Sequence, residues 1–334
     1  MTDNNLTAAI DWLEFTVKEF TLTSLINDIL RLAEESFKEL PSGRFGYNAQ
    51  LKWVDGNLFV LYNVDKDKIP LPDDKMGLHV IITGTGCRSY DNACHLYDLI
   101  LMVIGCVPKH RFTRIDLAID DHGEDLLQYD RIHQAALESM FTSRWSKWDE
   151  VNSRNCSDGS YLGRTMYFGS QKSDIFVRIY DKRLERIAKD KQAQNLDLDP
   201  WTRLEVVYKQ QRAQLLAEYL VYHEDVGTAL KKTLNNYIRF VLPPKKSDSN
   251  KSRWQTVDWW AEFIGAVGTL KLTIQPLDRT IDQMADWVDK QIAPTMAAIM
   301  TAHEGDLDWL YRTIAQGQNR LSAKHKDAIA EYNK

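Results

Sequence analysis

The 334-residue sequence predicts an α+β fold: a mainly antiparallel central sheet flanked by helices, with a C-terminal all-helical segment. Three observations predict it. Asp55-Gly56 sits between two alternating segments, FGYNAQLKWV and NLFVLYNV, which is the strongest short-range hairpin signal. RFTRIDLAIDD, SDIFVRIYDK and WTRLEVVYK alternate aliphatic and polar residues with the strand period of two. Beyond PPKKSDSNKS the pattern is helical only. Strands joined as hairpins make an antiparallel sheet rather than a doubly wound one.

The elements follow in order. DWLEFTVKEF (11–20) reads as a strand, and Thr21 or Thr23 caps a helix over SLINDILRLAEESFKEL. After the Asp55-Gly56 hairpin, LHVIITG (78–84) is a strand running into a glycine-bearing turn, GTGCR. NACHLYDLILMVIG (92–105) has helical length and period. RFTRIDLAIDD (111–121) is a strand, with a turn at His122-Gly123 and a helix over roughly 127–141. Residues 144–162 are polar and low in aliphatics and read as a loop. RTMYFGS and SDIFVRIYDK form a second hairpin, ERIAKDKQAQ a helix and WTRLEVVYK (201–209) a strand, with helices to about residue 240. These patterns divide the chain into a catalytic unit (1–242), a linker (243–252) and a helical domain (253–334). The tryptophans of the tail (Trp254, Trp259, Trp260, Trp287, Trp309) read as packing faces of a small helical core.

Composition excludes several classes. With 44% hydrophobic and 27% charged residues the chain is globular, not disordered. No apolar run reaches the length of a membrane span, and the first residues resemble no signal peptide, so a cytoplasmic protein is expected. The four cysteines have neither C-x-x-C nor zinc-ligand spacing and are expected as reduced core thiols. The net charge of −5 argues against a uniformly basic DNA-coating protein. Arg164 to Lys191 nevertheless holds eight Lys or Arg against four Asp or Glu, a local basic excess inside an acidic chain.

The alternation carries the chemistry. In RFTRIDLAIDD, Ile115, Leu117 and Ile119 share one face, while Arg114, Asp116, Ala118 and Asp120 share the other. Two carboxylates two residues apart on a strand lie about 7 Å from each other, close enough to share a hydrated divalent cation. The alternative is an exposed sheet face on which the acids do nothing. WTRLEVVYK repeats the arrangement with Arg203 and Glu205 opposite Leu204, Val206 and Tyr208. SDIFVRIYDK places Arg178 and Tyr180 opposite Val177 and Ile179. If the three strands are neighbours, acids, a cation for phosphate and a hydroxyl nucleophile converge on one site. Asp121, adjacent to Asp120, points to the core side by the same period.

RIDLAIDD, YFGSQKSDIFVRIYDKRLE and WTRLEVVYK, with GTGCR upstream, resemble the replication initiation factor family, over roughly residues 10 to 240. The family comprises rolling-circle initiators of small plasmids and related relaxases of integrative and conjugative elements. The resemblance implies a DNA strand transferase that nicks one strand at an origin. It places Tyr180 as the nucleophile that forms a 5′-phosphotyrosyl link, with Arg178 and Lys182 assisting. It implies a divalent metal, Mg²⁺ or Mn²⁺, held by Asp116, Asp120 and Glu205. Apart from the resemblance, His79 on the LHVIITG strand is a candidate nitrogen ligand, the alternative being a packed or hydrogen-bonded strand histidine. Many nicking enzymes bind metal through His-x-His, and no two of the eight histidines here are so spaced. Origin DNA, single-stranded or in supercoiled or cruciform form, is the implied partner. A homodimer supplying a second tyrosine, and a host helicase, are further expectations; no membrane is involved.

For DNA contact the sequence offers Arg114, Arg203 and Lys172, and in segment 144–162 the aromatic and cationic mix of Trp145, Trp148 and Arg154. Three other readings stand beside a replication initiator: a relaxase starting conjugative transfer by the same chemistry, a non-catalytic origin-binding protein, and a metal-dependent hydrolase in which Tyr180 only orients substrate.

Overall fold

The structure, a computed structural model, describes residues 6–71, 75–189, 199–223, 226–244, 248–268 and parts of 281–332. Ten strands form one sheet: β1 (Leu6–Val17), β2 (Phe37–Glu39), β3 (Ala49–Trp53), β4 (Leu58–Tyr62), β5 (Leu78–Ile82), β6 (His110–His122), β8 (Trp148–Arg154), β9 (Tyr161–Phe168), β10 (Ile175–Asp181) and β11 (Trp201–Lys209). Their order is β2-β3-β4-β5-β1-β6-β11-β10-β9-β8. Every pairing is antiparallel. A small second sheet, β13-β12-β7, joins β7 (Phe141–Ser143), β12 (Ile238–Leu242) and β13 (Gln255–Thr256). The expected α+β class with a mainly antiparallel sheet is what forms.

One face of the large sheet is aliphatic. Ile115, Leu117 and Ile119 of β6, Val177 and Ile179 of β10, and Leu204 and Val206 of β11 share one core with the inner faces of several helices. These include α2 (Gly84–Ala93), α3 (Leu96–Cys106), α4 (Tyr129–Leu137), α6 (Gln211–His223) and α7 (Val226–Tyr237). Each fully buried aliphatic side chain there contributes about 1.5–3 kcal/mol, so strand alternation is strongly enforced. The opposite face is left for Asp, Glu, Arg and Tyr. Asp121 confirms the period from the core side: fully buried, it accepts the backbone N–H groups of Leu126 and Leu127 at 2.8 and 2.6 Å.

Four local readings are corrected. Instead of one long helix over 24–40, the chain forms α1 (Leu22–Ser24), a π-turn Leu25–Ile29, a 3₁₀ turn Glu34–Ser36 and then β2. Arg31, with φ of 52°, breaks the helical run. GTGCR is not a turn but the opening of α2. Residues 148–154 within the expected loop are the edge strand β8, whose side chains after Trp148 are exposed on both faces, which is why its composition is polar. Of the four free thiols only Cys87 is buried, and Cys106 and Cys156 are exposed.

Beyond residues 243–252, α8 (Asp258–Val267) returns to the body. Trp259 and Trp260 lie 5.2 and 5.0 Å from Phe240 of β12, and Trp260 and Phe263 are buried in the common core. Two further helices, Ala293–Ala302 and Asp308–Gln318, hold no buried residue. Trp287, most of LSAKHKDAIAEYNK and the ERIAKDKQAQ helix beyond 189 lie outside the described residues. Among the described residues no helix is long and apolar enough to cross a membrane.

Candidate active site

The register brings the three polar strands together. Tyr180, Arg203 and Asp120 lie in one row across β10, β11 and β6, and Arg178, Glu205 and Ala118 in the next. Ala118 is the small residue in that second row, which leaves space for the two long side chains opposite it.

Glu205 is the hub. Fully buried, it takes the Tyr180 hydroxyl on Oε1 at 2.5 Å and the Arg178 guanidinium on Oε2. Burial, which Arg178 only partly offsets, pushes its carboxyl up to about 7. Asp116 stands beside this pair: Arg178 Nη2 is 3.7 Å from its Oδ2, and Arg114 grips both its oxygens at 2.9 and 2.6 Å. Burial raises its pKa as well, against the pull of Arg114. Lys182, from the start of α5 (Lys182–Lys189), donates to the Tyr180 hydroxyl at 3.3 Å and to Glu185. Burial, and then Arg203, lower its pKa.

An arginine beside a phenol favours the phenolate. Burial and the adjacent Glu205 carboxylate instead hold the Tyr180 pKa well above its ordinary value, with Arg203 only partly opposing. At rest Tyr180 is therefore a neutral phenol with its proton aimed at a carboxylate.

A second, deeper network supports the first. Arg203 is 1% exposed, holds Asp120 through Nε and Nη2 at 2.6 and 2.7 Å, and reaches Asp11 through Nη1 at 2.8 Å. Trp201 Nε1 adds a bond of 2.6 Å to Asp120. Asp11 in turn accepts Arg88 of α2 at 3.1 Å. Burial would raise the Asp11 pKa, but Arg203, Lys182 and Arg88 outweigh it and hold it low. Sequence reasoning missed Asp11, Arg88 and Trp201. Asp11 is the extra residue of a β-bulge between Ile10 and Trp12, which turns its carboxylate onto the site face. Gly84, where a Cβ would sit 3.0 Å from that carboxylate, lets it approach the N-terminus of α2.

Other anticipated residues fall elsewhere. His79 pairs with Thr16 Oγ1 at 2.9 Å, lies 3.8 Å from Glu14 and stacks on Tyr47, away from Asp116 and Glu205. Burial, and then Arg44, push it down to about 4, leaving a neutral imidazole. Arg203 is sealed in the interior and cannot meet DNA. Trp145 donates to the Ile175 carbonyl at 3.1 Å and stacks on Tyr237, and Trp148 stacks on Phe168, so both indoles are used in packing. Arg154 lies over Tyr161, 3.7 Å from its ring centre. Lys172 sits in the turn at the far end of β10 from Tyr180. Arg114 lies over Trp12 on the site face.

The residues test a divalent cation unevenly. Asp116 and Glu205 are neighbouring hard oxygen donors, the kind and number Mg²⁺ uses when it keeps several waters. All three acids are held by arginines: Asp120 by Arg203, which is 1% exposed, and by Trp201, but Asp116 and Glu205 by Arg114 and Arg178, which are 21% and 27% exposed. His79 pairs with Thr16 instead. Among the described residues no group of three or more His, Cys, Asp or Glu side chains is arranged to hold a metal. A cation at Asp116 and Glu205 would have to take the place of Arg114 and Arg178 on their oxygens.

Tyr180, Arg178, Lys182, Asp11 and Arg88 line a cleft of about 540 Å³ between α2, β9 and α5. A family model described as replication initiation factor matches residues 110–314, and one for the N-terminal domain of rolling-circle replication initiation proteins matches residues 7–99. The chain is 30% identical to a Bacillus subtilis (strain 168) protein named "Putative DNA relaxase NicK", over 99% of this chain and 91% of that protein. A solved structure of a rolling-circle replication initiator protein from Geobacillus stearothermophilus superimposes with a TM-score of 0.69 at 28% identity, covering 81% of this chain and 99% of that one.

Proposed function

Because the chain belongs to the replication initiation factor family, we propose that it starts rolling-circle replication by nicking one DNA strand at an origin, with Tyr180 as nucleophile. The observation that carries this reading is the 2.5 Å bond from the Tyr180 hydroxyl to Glu205, in a cleft whose cations are Arg178 and Lys182. Tyr180 Oη attacks the scissile phosphorus, the bond from phosphorus to the 3′ oxygen breaks, and a 5′-phosphotyrosyl link remains. The phenol proton passes to Glu205 Oε1, and the departing 3′ oxygen takes a proton from solvent. Arg178 and Lys182 offset charge on the phosphate as it develops. The linkage conserves the phosphodiester energy, so rejoining needs no ATP.

Asp116 and Glu205 Oε2, released by Arg114 and Arg178, would hold Mg²⁺ or Mn²⁺, which supplies Lewis-acid stabilisation of the phosphate oxygens when bound. Asp120 and Arg203 position the site rather than bind metal or DNA. Arg114 faces the strand beside it. Tyr180 is the tyrosine that the reaction uses, so closing the circle calls on a second subunit's Tyr180; a host helicase would follow the nick.

The similarity to the B. subtilis protein favours a second reading, a relaxase that starts conjugative transfer with the same chemistry. Oligonucleotides from a replication origin or from a transfer origin of the host element separate the two.

The test is incubation of wild type and Tyr180→Phe with end-labelled single-stranded oligonucleotides tiled across the host element, with Mg²⁺ or Mn²⁺, on denaturing gels. The expected result is a protein adduct on the 5′ end of the downstream fragment with wild type only. Cleavage near the wild-type rate by Tyr180→Phe would make the protein a hydrolase; binding without cleavage by wild type would make it an origin-binding protein.

A further inference from the structure

One aromatic side chain in the cleft has no part in the reacting group. Tyr167 lies on β9 between Met166 and Phe168, both fully buried, so its ring faces the site. Its Cα pairs with Arg178, while Tyr180 pairs with Thr165. Tyr167 is thus the diagonal neighbour of Tyr180, about 7–8 Å away by sheet geometry. It lines the same cleft. Among the described residues its side chain makes no hydrogen bond, ion pair or ring contact.

The other aromatics near the site are committed. Trp12 donates to Glu14 at 2.6 Å and is covered by Arg114. Trp201 donates to Asp120 and lies 4.5 Å from His122. Tyr161 is held between Arg154 and Arg164, at 3.7 and 4.6 Å from its ring centre. Tyr167 also lacks what makes Tyr180 a nucleophile, a carboxylate to take its proton. A free, half-buried ring beside a phosphate-binding arginine is suited to a planar apolar partner.

We infer that Tyr167 is a stacking residue for the base of a nucleotide flanking the scissile phosphate. This rests on reading the cleft as a DNA nicking site. A nucleobase stands to one side of its own phosphate, as Tyr167 stands to one side of Tyr180 and Arg178. Stacking is tolerant of sequence because every base has a π-face, so Tyr167 holds the strand in register without choosing the origin.

The test uses the full chain and two variants, Tyr167→Ala and Tyr167→Phe, with binding to a twelve-nucleotide oligo(dT) followed by fluorescence anisotropy. Tyr167→Ala is expected to bind roughly tenfold more weakly and Tyr167→Phe within about twofold of wild type. On the tile that wild type nicks, one abasic nucleotide beside the cut should weaken wild type by a similar factor and add nothing to Tyr167→Ala. Equal weakening of the Phe and Ala variants would assign the contact to the hydroxyl and overturn stacking, as would unchanged binding by Tyr167→Ala or a DNA adduct mapped to Tyr167 in Tyr180→Phe. If no tile is nicked, the nicking reading fails while the oligo(dT) comparison still decides Tyr167.

Discussion

The Tyr180 hydroxyl and Glu205 Oε1 lie 2.5 Å apart, and the second oxygen of Glu205 is held by Arg178. One carboxylate therefore faces the nucleophile on one side and a phosphate-seeking cation on the other. Tyr180 and Glu205 come from adjacent strands, two residues out of register, so the contact is set by the β10–β11 pairing rather than by a loop.

This contact predicts a pH dependence. With its carboxyl near 7 rather than the ordinary 4.5, Glu205 accepts the phenol proton only once it has itself ionised. Single-turnover nicking should rise with pH through about 7 and then level off. Glu205→Gln should lower the rate by about 10²–10⁴-fold and flatten the rise. Stability moves the other way. A folded-state pKa raised above the unfolded value means that the contribution of protonated Glu205 is complete below about 4.5 and is lost as pH rises through about 7. Urea midpoints in EDTA should fall across that window in wild type and fall less in Glu205→Gln; parallel curves would remove Glu205 from both roles.

Arg203 predicts a stability effect. Burying an arginine with two carboxylates is expensive, and a hydrophobic cluster would be at least as stable. The network ties β1, β6 and β11 together through Asp11, Asp120 and Arg203, one row from Glu205 and beside the strand that carries Tyr180. Arg203→Lys keeps the charge but loses the fork that holds both Asp120 oxygens and Asp11. Arg203→Met should cost about 3–5 kcal/mol in urea unfolding, with buried carboxylates left unpaired, and Arg203→Lys should fall between it and wild type. A loss below about 1 kcal/mol for Arg203→Met, the size of an exposed ion pair, would mean the network does not hold the sheet.

The metal assignment separates two aspartates that look alike in the sequence. Asp116→Asn should move the Mg²⁺ midpoint for adduct formation to higher concentration, by tenfold or more for a lost charged ligand, about 1.4 kcal/mol. Asp120→Asn should leave that midpoint in place and lower the unfolding midpoint instead, because its oxygens serve Arg203 and Trp201. The reverse pattern would transfer the metal to Asp120.

Strand alternation is why Asp116, Asp120, Arg178, Tyr180, Arg203 and Glu205 were readable as one face: a one-residue slip would have put Ile119 and Leu204 in water. Alternation does not report pairing between distant strands, so the sequence could not say that Asp120 answers to Arg203 and Glu205 to Tyr180. Asp11 was hidden for a different reason. A bulge breaks the period within β1, and nothing local in AAIDWLEF marks it. Edge strand β8 reads as a loop because both its faces are exposed after Trp148, so it carries no apolar stripe. Trp145 and Trp148 show the limit of composition, since an aromatic near a lysine in sequence can still point into the core.

The last prediction concerns where the catalytic unit ends. A division at 243–252 follows the composition, yet Trp260 and Phe263 beyond it are buried against the core that includes Phe240. Loss of a single buried Phe or Trp side chain costs about 3–5 kcal/mol. A chain ending at residue 242 would lose both and bare one side of Phe240, whose ring also packs on Phe141 and Phe168. It should therefore unfold at markedly lower urea than the full chain, or fail to stay soluble. A chain ending at residue 268 keeps α8, and the described residues of 281–332 include none that is buried. It should match the full chain in unfolding midpoint within the error of the measurement. Equal stability of the two truncations would place the boundary at the linker, and a large loss on cutting at 268 would place part of the tail in the catalytic core.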